Sequence, residues 1–193
     1  MTSIRYETGN DLPATVRTQV INTLNQRLAD AIDLSSQVKQ AHWNVKGASF
    51  IGLHRLFDEM HEAVEGYVDM LAERVVQLGG IAMGTVRMVA DRSLISEYPA
   101  TIADGPLHLN ALAGGLAEFG AHIRRTSDEM DDLGDQDSAD LCTEVSRGTD
   151  QWLWFTEAHL QDRAPAAIPA HPNRMAISKR NGGTTRGAKP LRS

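Results

Sequence analysis

The run Phe50-Ile51-Gly52-Leu53-His54-Arg55-Leu56-Phe57-Asp58-Glu59-Met60-His61-Glu62-Ala63-Val64-Glu65-Gly66-Tyr67-Val68-Asp69-Met70-Leu71-Ala72-Glu73-Arg74 carries two helical patterns at once. Leu53, Phe57, Met60, Val64, Tyr67/Val68, Leu71, Val75 and Leu78 recur at three- and four-residue steps, the period of a helix with one buried face. At about 100° per residue, with His54 at zero, Glu65 falls near 20°, Asp58 near 40°, Asp69 near 60°, Glu62 near 80° and Glu73 near 100°. The apolar series centres near about 270° on the same wheel. Six residues, all metal-ligand types, therefore share one sector that points away from the core.

Three further helical patterns flank this one. The first spans about 13–46 (Val16, Val20, Leu24, Leu28, Ile32, Val38), with Pro13 in its first turn and Gly47 as a stop. The second, the run above, starts after Ser49 as N-cap and stops at Gly79-Gly80. The others cover about 105–133 and 137–162. A few residues join helices one and two, and three and four, so each pair is expected antiparallel. Residues 80–104 are long enough to travel back along a helix, with a short helix expected around Arg92–Tyr98. Two hairpins joined by one long crossover between helices two and three describe an all-α, ferritin-like four-helix bundle. It would occupy 13–162, between an N-terminal extension, 1–12, and a basic flexible tail, 163–193.

A charged stripe opposite a core ordinarily faces water. Here five carboxylates in one sector repel one another at helix spacing, with Arg55 at the sector's edge to offset them. Asp, Glu and His together suit hard or borderline divalent metals. His54 and Asp58 are one turn apart, as are Asp69 and Glu73, but the two pairs lie roughly 16 Å apart along the axis. No single metal spans that distance. A second copy of the helix, antiparallel across a twofold axis, sets His54 opposite Glu73 and Asp58 opposite Asp69. Both contacts share one midpoint, between residues 63 and 64, which is the reciprocity an isologous interface requires. Ala63 and Gly66 permit close approach there, whereas Glu62 and Glu65 repel across the seam unless metal-bound or turned away. His42 lies as far before the hairpin corner as His54 lies after it, which brings the two imidazoles to one level.

Ala41-His42-Trp43-Asn44-Val45-Lys46-Gly47, Phe50-x-x-Leu53-His54-x-x-Phe57-Asp58-Glu59, Asp69-x-x-Ala72-Glu73-Arg74-x-x-x-Leu78-Gly79-Gly80 and Asp150-x-x-Leu153-Trp154-Phe155 together resemble the Dps family, mini-ferritins that protect DNA in starved bacteria. The resemblance covers about residues 15–162. It implies a hollow homo-dodecamer that oxidises Fe(II) at twofold interfaces, with hydrogen peroxide preferred over O2, and stores the ferric product. Matched by motif, His42, His54 and Asp58 come from one subunit and Asp69 and Glu73 from its neighbour. The resemblance also implies that paired irons take both oxidising equivalents of one peroxide. Glu62 and Glu65 are candidate iron-nucleation groups. Trp43 reads first as a packing residue and second as an oxidisable aromatic beside the site.

Iron needs a way through the shell. The acidic corner of Asp131, Asp132, Asp135, Asp137, Asp140 and Glu144 could focus cations, with Asp140 and Glu144 the preferred pore pair. The formal charge of −6 conceals an acidic body and a tail with seven cations and no acid, among them Arg174, Lys179, Arg180, Arg186, Lys189 and Arg192. Such a tail, repeated around a shell, is expected to bind double-stranded DNA without sequence preference. No run is apolar enough for a membrane span, no secretory leader is evident, and the lone Cys142 excludes an internal disulfide or a Cys-based zinc site. A cytoplasmic location follows, on the nucleoid if DNA is bound. Two rivals remain open. A di-iron site inside the bundle needs Glu-x-x-His on two helices, but Glu118-x-x-x-His122 and Glu157-x-His159 are misspaced and Asp58-x-x-His61 stands alone. The other is a non-catalytic DNA-compacting shell.

Overall fold

A computed structural model describes residues 4–161. The tail residues Arg174, Lys179, Arg180, Arg186, Lys189 and Arg192 lie outside them. Five helices follow in order: α1 (Ala14–Asn44), α2 (Phe50–Gln77), α3 (Val86–Ala90), α4 (Gly105–Asp132) and α5 (Gln136–Leu160). The four long ones match the apolar periods. α1 packs on α2, and α4 on α5, as two hairpins joined by the crossover. Their inward rows interlock around Leu24, Leu28, Leu34, Phe57, Met60, Leu112, Leu116, Phe119 and Ile123, each at most 1% exposed. Burying a side chain of this size contributes roughly 1.5–3 kcal/mol, so this core supplies most of the bundle's cohesion.

Hydrogen-bond supply explains the C-terminal end of α2 rather than its start. Ser49 stands at its N-cap without a side-chain hydrogen bond. After Gln77 the chain turns through Gly79 at φ +86°, a left-handed conformation that favours glycine. A Cβ there would meet the Tyr6 carbonyl oxygen at 2.5 Å. The N-terminal segment and the start of α1 cap this end: the amides of Arg5 and Tyr6 donate to the Gly79 carbonyl, the Thr8 hydroxyl to that of Gln77, and Arg17 of α1 to that of Leu78.

The crossover departs from expectation. Its short helix is Val86–Ala90, not Arg92–Tyr98. Residues 92–96 use their backbone groups elsewhere. Gln26 donates to the Arg92 carbonyl, the Leu94 amide to buried Asp30, Gln37 to the Ser96 carbonyl, and the Ser96 amide to Glu118 of α4. A polar row on α1 thus claims the segment before it can close helical bonds of its own.

Candidate metal centre

α1 ends and α2 begins within one tight corner, which sets two imidazoles side by side. The rings of His42 and His54 stack with centroids 3.7 Å apart and 24° between planes. The Nδ1 of His42 lies 2.8 Å from the His54 carbonyl oxygen, and the Nδ1 of His54 lies 2.9 Å from that of His42. A carbonyl can only accept, so each Nδ1 carries a proton, and the tautomer this selects has its lone pair on Nε2. Metal-ligating histidines are oriented by this kind of second bond. The backbone of the corner therefore fixes the tautomer of both rings.

Asp58, one turn beyond His54, joins the same group: its Oδ1 is 3.7 Å from His42 Nδ1. The same oxygen accepts a 2.6 Å hydrogen bond from Lys39 Nζ. That bond holds the Asp58 carboxyl below the usual carboxylate range. The sequence offered Arg55 alone as a counter-charge; Lys39, on the facing helix, is the cation that pairs with Asp58.

Farther along the groove Ser35 bonds two residues of α2. Its hydroxyl donates to Glu65 Oε1 at 2.5 Å and lies 2.9 Å from His61 Nδ1. One hydroxyl proton serves one acceptor, so His61 donates to Ser35 from Nδ1. Glu65 is thereby held toward α1, the turning away that relieves the Glu62–Glu65 repulsion expected across the seam. Glu62 stays exposed.

Asp69 and Glu73 lie on the exposed face of α2 and make no hydrogen bond or ion pair among the described residues. Three turns of helix separate them from Asp58, and among the described residues no three His, Cys, Asp or Glu side chains of one chain close on a common point. The five ligand candidates thus form two half-sets: His42, His54 and Asp58 at one end of α2, Asp69 and Glu73 at the other. Trp43 beside the first half-set packs into no core and is 67% exposed.

The acidic corner divides into two kinds of carboxylate. Asp140 lines an open depression with Ser127, Asp128, Asp131, Gln136 and Thr143, and Glu144 is exposed one turn on. Asp135 does not belong with them. It is 2% exposed, accepts from Arg74 Nη2 at 2.7 Å and from the Ser138 amide and hydroxyl, and serves as N-cap of α5. Arg74, next to Glu73, therefore anchors the end of α2 to the α4–α5 corner.

A family model for the ferritin-like domain matches residues 21–164. The DNA protection during starvation protein of Agrobacterium fabrum is 42% identical over 159 residues, 82% of this chain and 98% of the relative. The chain belongs to the Dps family. Among solved Dps structures, DpsC from Streptomyces coelicolor superposes with a TM-score of 0.79 at 29% identity, covering 83% of this chain and 94% of its own. The Dps of Mycobacterium smegmatis gives 0.76 at 30% identity, covering 80% and 94%. Dps relatives thus share the bundle over the same span that carries both half-sets. No helix among the described residues is long and apolar enough to cross a membrane.

Proposed function

We propose that this protein is a ferroxidase that oxidises Fe(II) with hydrogen peroxide at sites shared between two subunits and stores the ferric product in a shell of twelve. The observation that carries the reading is the split ligand set. One half holds two imidazoles with their lone pairs fixed on Nε2 beside a carboxylate; the other holds two exposed carboxylates one turn apart. A twofold axis through the midpoint of α2 closes both sets at once and makes two sites per interface.

The donor set fits iron as substrate. Neutral imidazole and carboxylate bind Fe(II), and carboxylate favours the Fe(III) product. Lys39 keeps Asp58 ionised until the cation displaces the ammonium. Two Fe(II) ions each give one electron; the O–O bond of one peroxide breaks, takes both electrons and two protons, and leaves as two waters. Supplying both electrons from one site avoids release of a hydroxyl radical. Exposed Trp43, next in sequence to His42, is proposed as an oxidisable ring for a stray one. Glu62 at the seam is proposed as a first ligand for the product, with Glu65 exchanging Ser35 for it. Asp140 and Glu144 are proposed to draw cations through the shell.

The basic tail is proposed to bind duplex DNA by phosphate neutralisation, on the nucleoid. Its seven cations account for the whole difference between an acidic body of −13 and the chain's −6. The test runs intact protein beside protein ending at 162. Peroxide-dependent Fe(II) oxidation at the assembled mass of twelve subunits is expected from both. A plasmid gel shift that weakens steeply with salt is expected from the intact form alone. Absent iron oxidation, with the shell assembled, would leave a compacting role and overturn the ferroxidase.

A further inference from the structure

We infer that the seam between two copies is locked at each end by an apolar contact, Ile51 of one copy seated in a shallow hollow on the other copy beside Val76. The inference rests on the proposed pairing of two α2 helices and names what sets its register.

Ile51 and Val76 are large apolar side chains on α2 that remain 57% and 55% exposed. On the helical wheel they fall near about 60° and 40°, inside the sector of the metal ligands rather than on the core face. An exposed β-branched residue within a stripe of carboxylates and histidine is out of place on a solvated helix. Ile51 and Val76 also have the same midpoint as His54 with Glu73 and Asp58 with Asp69, between residues 63 and 64. They lie roughly 37 Å apart along one helix, so they meet only across two copies. Val76 stands at the rim of a hollow lined by Ala72, Glu73, Gln77 and Ala82, whose small residues leave room for a side chain.

The contact bears on the metal ligands directly. Ile51 is one turn before His54, and Val76 is one turn after Glu73. Seating Ile51 in the hollow covers the stem of Glu73 and aims its carboxylate at the neighbour's His54. A β-branched side chain has few rotamers to lose on docking, which suits it to fixing register. The symmetry repeats the lock at both ends of the interface, leaving the carboxylates between them.

The experiment is cross-linking in the full chain. Ile51→Cys with Val76→Cys should join subunits on mild oxidation or with a short bismaleimide. Either single variant should not, because the two copies of one residue stand at opposite ends of the seam. Asp69→Cys with Val76→Cys, about 27 Å out of register and with the two copies of Asp69 about 16 Å apart, should link at least tenfold less. Buried Cys142 does not compete. Ile51→Asn, which keeps every ligand, should weaken Zn(II) binding, read by equilibrium dialysis, at least tenfold while far-ultraviolet helicity is kept. Equal linking by the out-of-register pair, no linking by the in-register pair, or unchanged Zn(II) binding by Ile51→Asn would each overturn the lock. An in-register link in a protein that does not oxidise iron would sustain the lock and sink the ferroxidase instead.

Discussion

Mixing experiments give the shared site a numerical signature. His54→Ala removes an imidazole of one half-set, and Glu73→Ala a carboxylate of the other. Each variant alone should have no intact site. Suppose the two are co-refolded at equal amounts and pair at random. Half of the twofold pairs then contain one of each chain. In such a pair one site has lost both residues, and the other takes His54 from one chain and Glu73 from its neighbour, both intact. One site of two in half of the pairs amounts to about one quarter of the wild-type sites.

A second mixture sharpens the contrast. With both substitutions on one chain, mixed equally with wild type, every mixed pair is dead at both sites, and about one quarter of sites survive, in pure wild-type pairs. If each site were built within a chain, the same mixture would keep about one half, and the first mixture none. The assay is the initial rate of peroxide-dependent ferric absorbance, with subunit composition checked by native mass spectrometry. Rates near zero for the first mixture and near one half for the second, in verified mixed shells, would refute the sharing of ligands.

Other consequences follow from particular contacts. Lys39→Met removes the ammonium that competes for Asp58, so Zn(II) should bind more tightly to this variant in calorimetric titration. Asp135→Ala removes the buried carboxylate of Arg74 and leaves only exposed Asp137, 3.8 Å away; breaking a buried pair typically costs about 3–5 kcal/mol, and at this chain length the melting temperature should fall by on the order of 10 °C by calorimetry. Hydrogen bonds from the Ser96 hydroxyl and amide hold Glu118 below its ordinary value. A carboxyl lowered in the folded state contributes stability above its unfolded pKa and loses it as pH falls through the folded one. The stability advantage of wild type over Glu118→Gln in urea titrations should thus be constant above about pH 5.5 and shrink in more acid solution.

What could and could not be read from the chain follows one physical distinction. Period is local: the apolar steps of α1, α2, α4 and α5 need only their own residues, and all four helices stand within two residues or so of the expected ends. Phase between helices is not local. Lys39 meets Asp58, and Ser35 meets Glu65, only because α1 presents one particular face to α2 across the hairpin. Asp135 looks like its solvated neighbours until Arg74, 61 positions earlier, is brought beside it. The misplaced crossover helix has the same origin. Residues 92–98 have nothing in their own composition to forbid a helix, and it is Gln26, Asp30 and Gln37 of α1 that take up their backbone groups.

The proposed seam escapes this limit for a reason of symmetry. A contact between α2 and a second α2 has both of its faces written in one stretch of sequence. Its register is then a property of the spacing within that stretch, since every pair across the axis must share one midpoint. His54 with Glu73, Asp58 with Asp69 and Ile51 with Val76 all do, although they differ in chemistry. Within a chain, the match of two helices has to be found by folding. Between identical copies it can be read by counting, and a single residue inserted between Asp58 and Asp69 would keep one common midpoint but break the common face. Such an insertion rotates the following ligands by about 100° and should abolish the site even with all five ligand residues present.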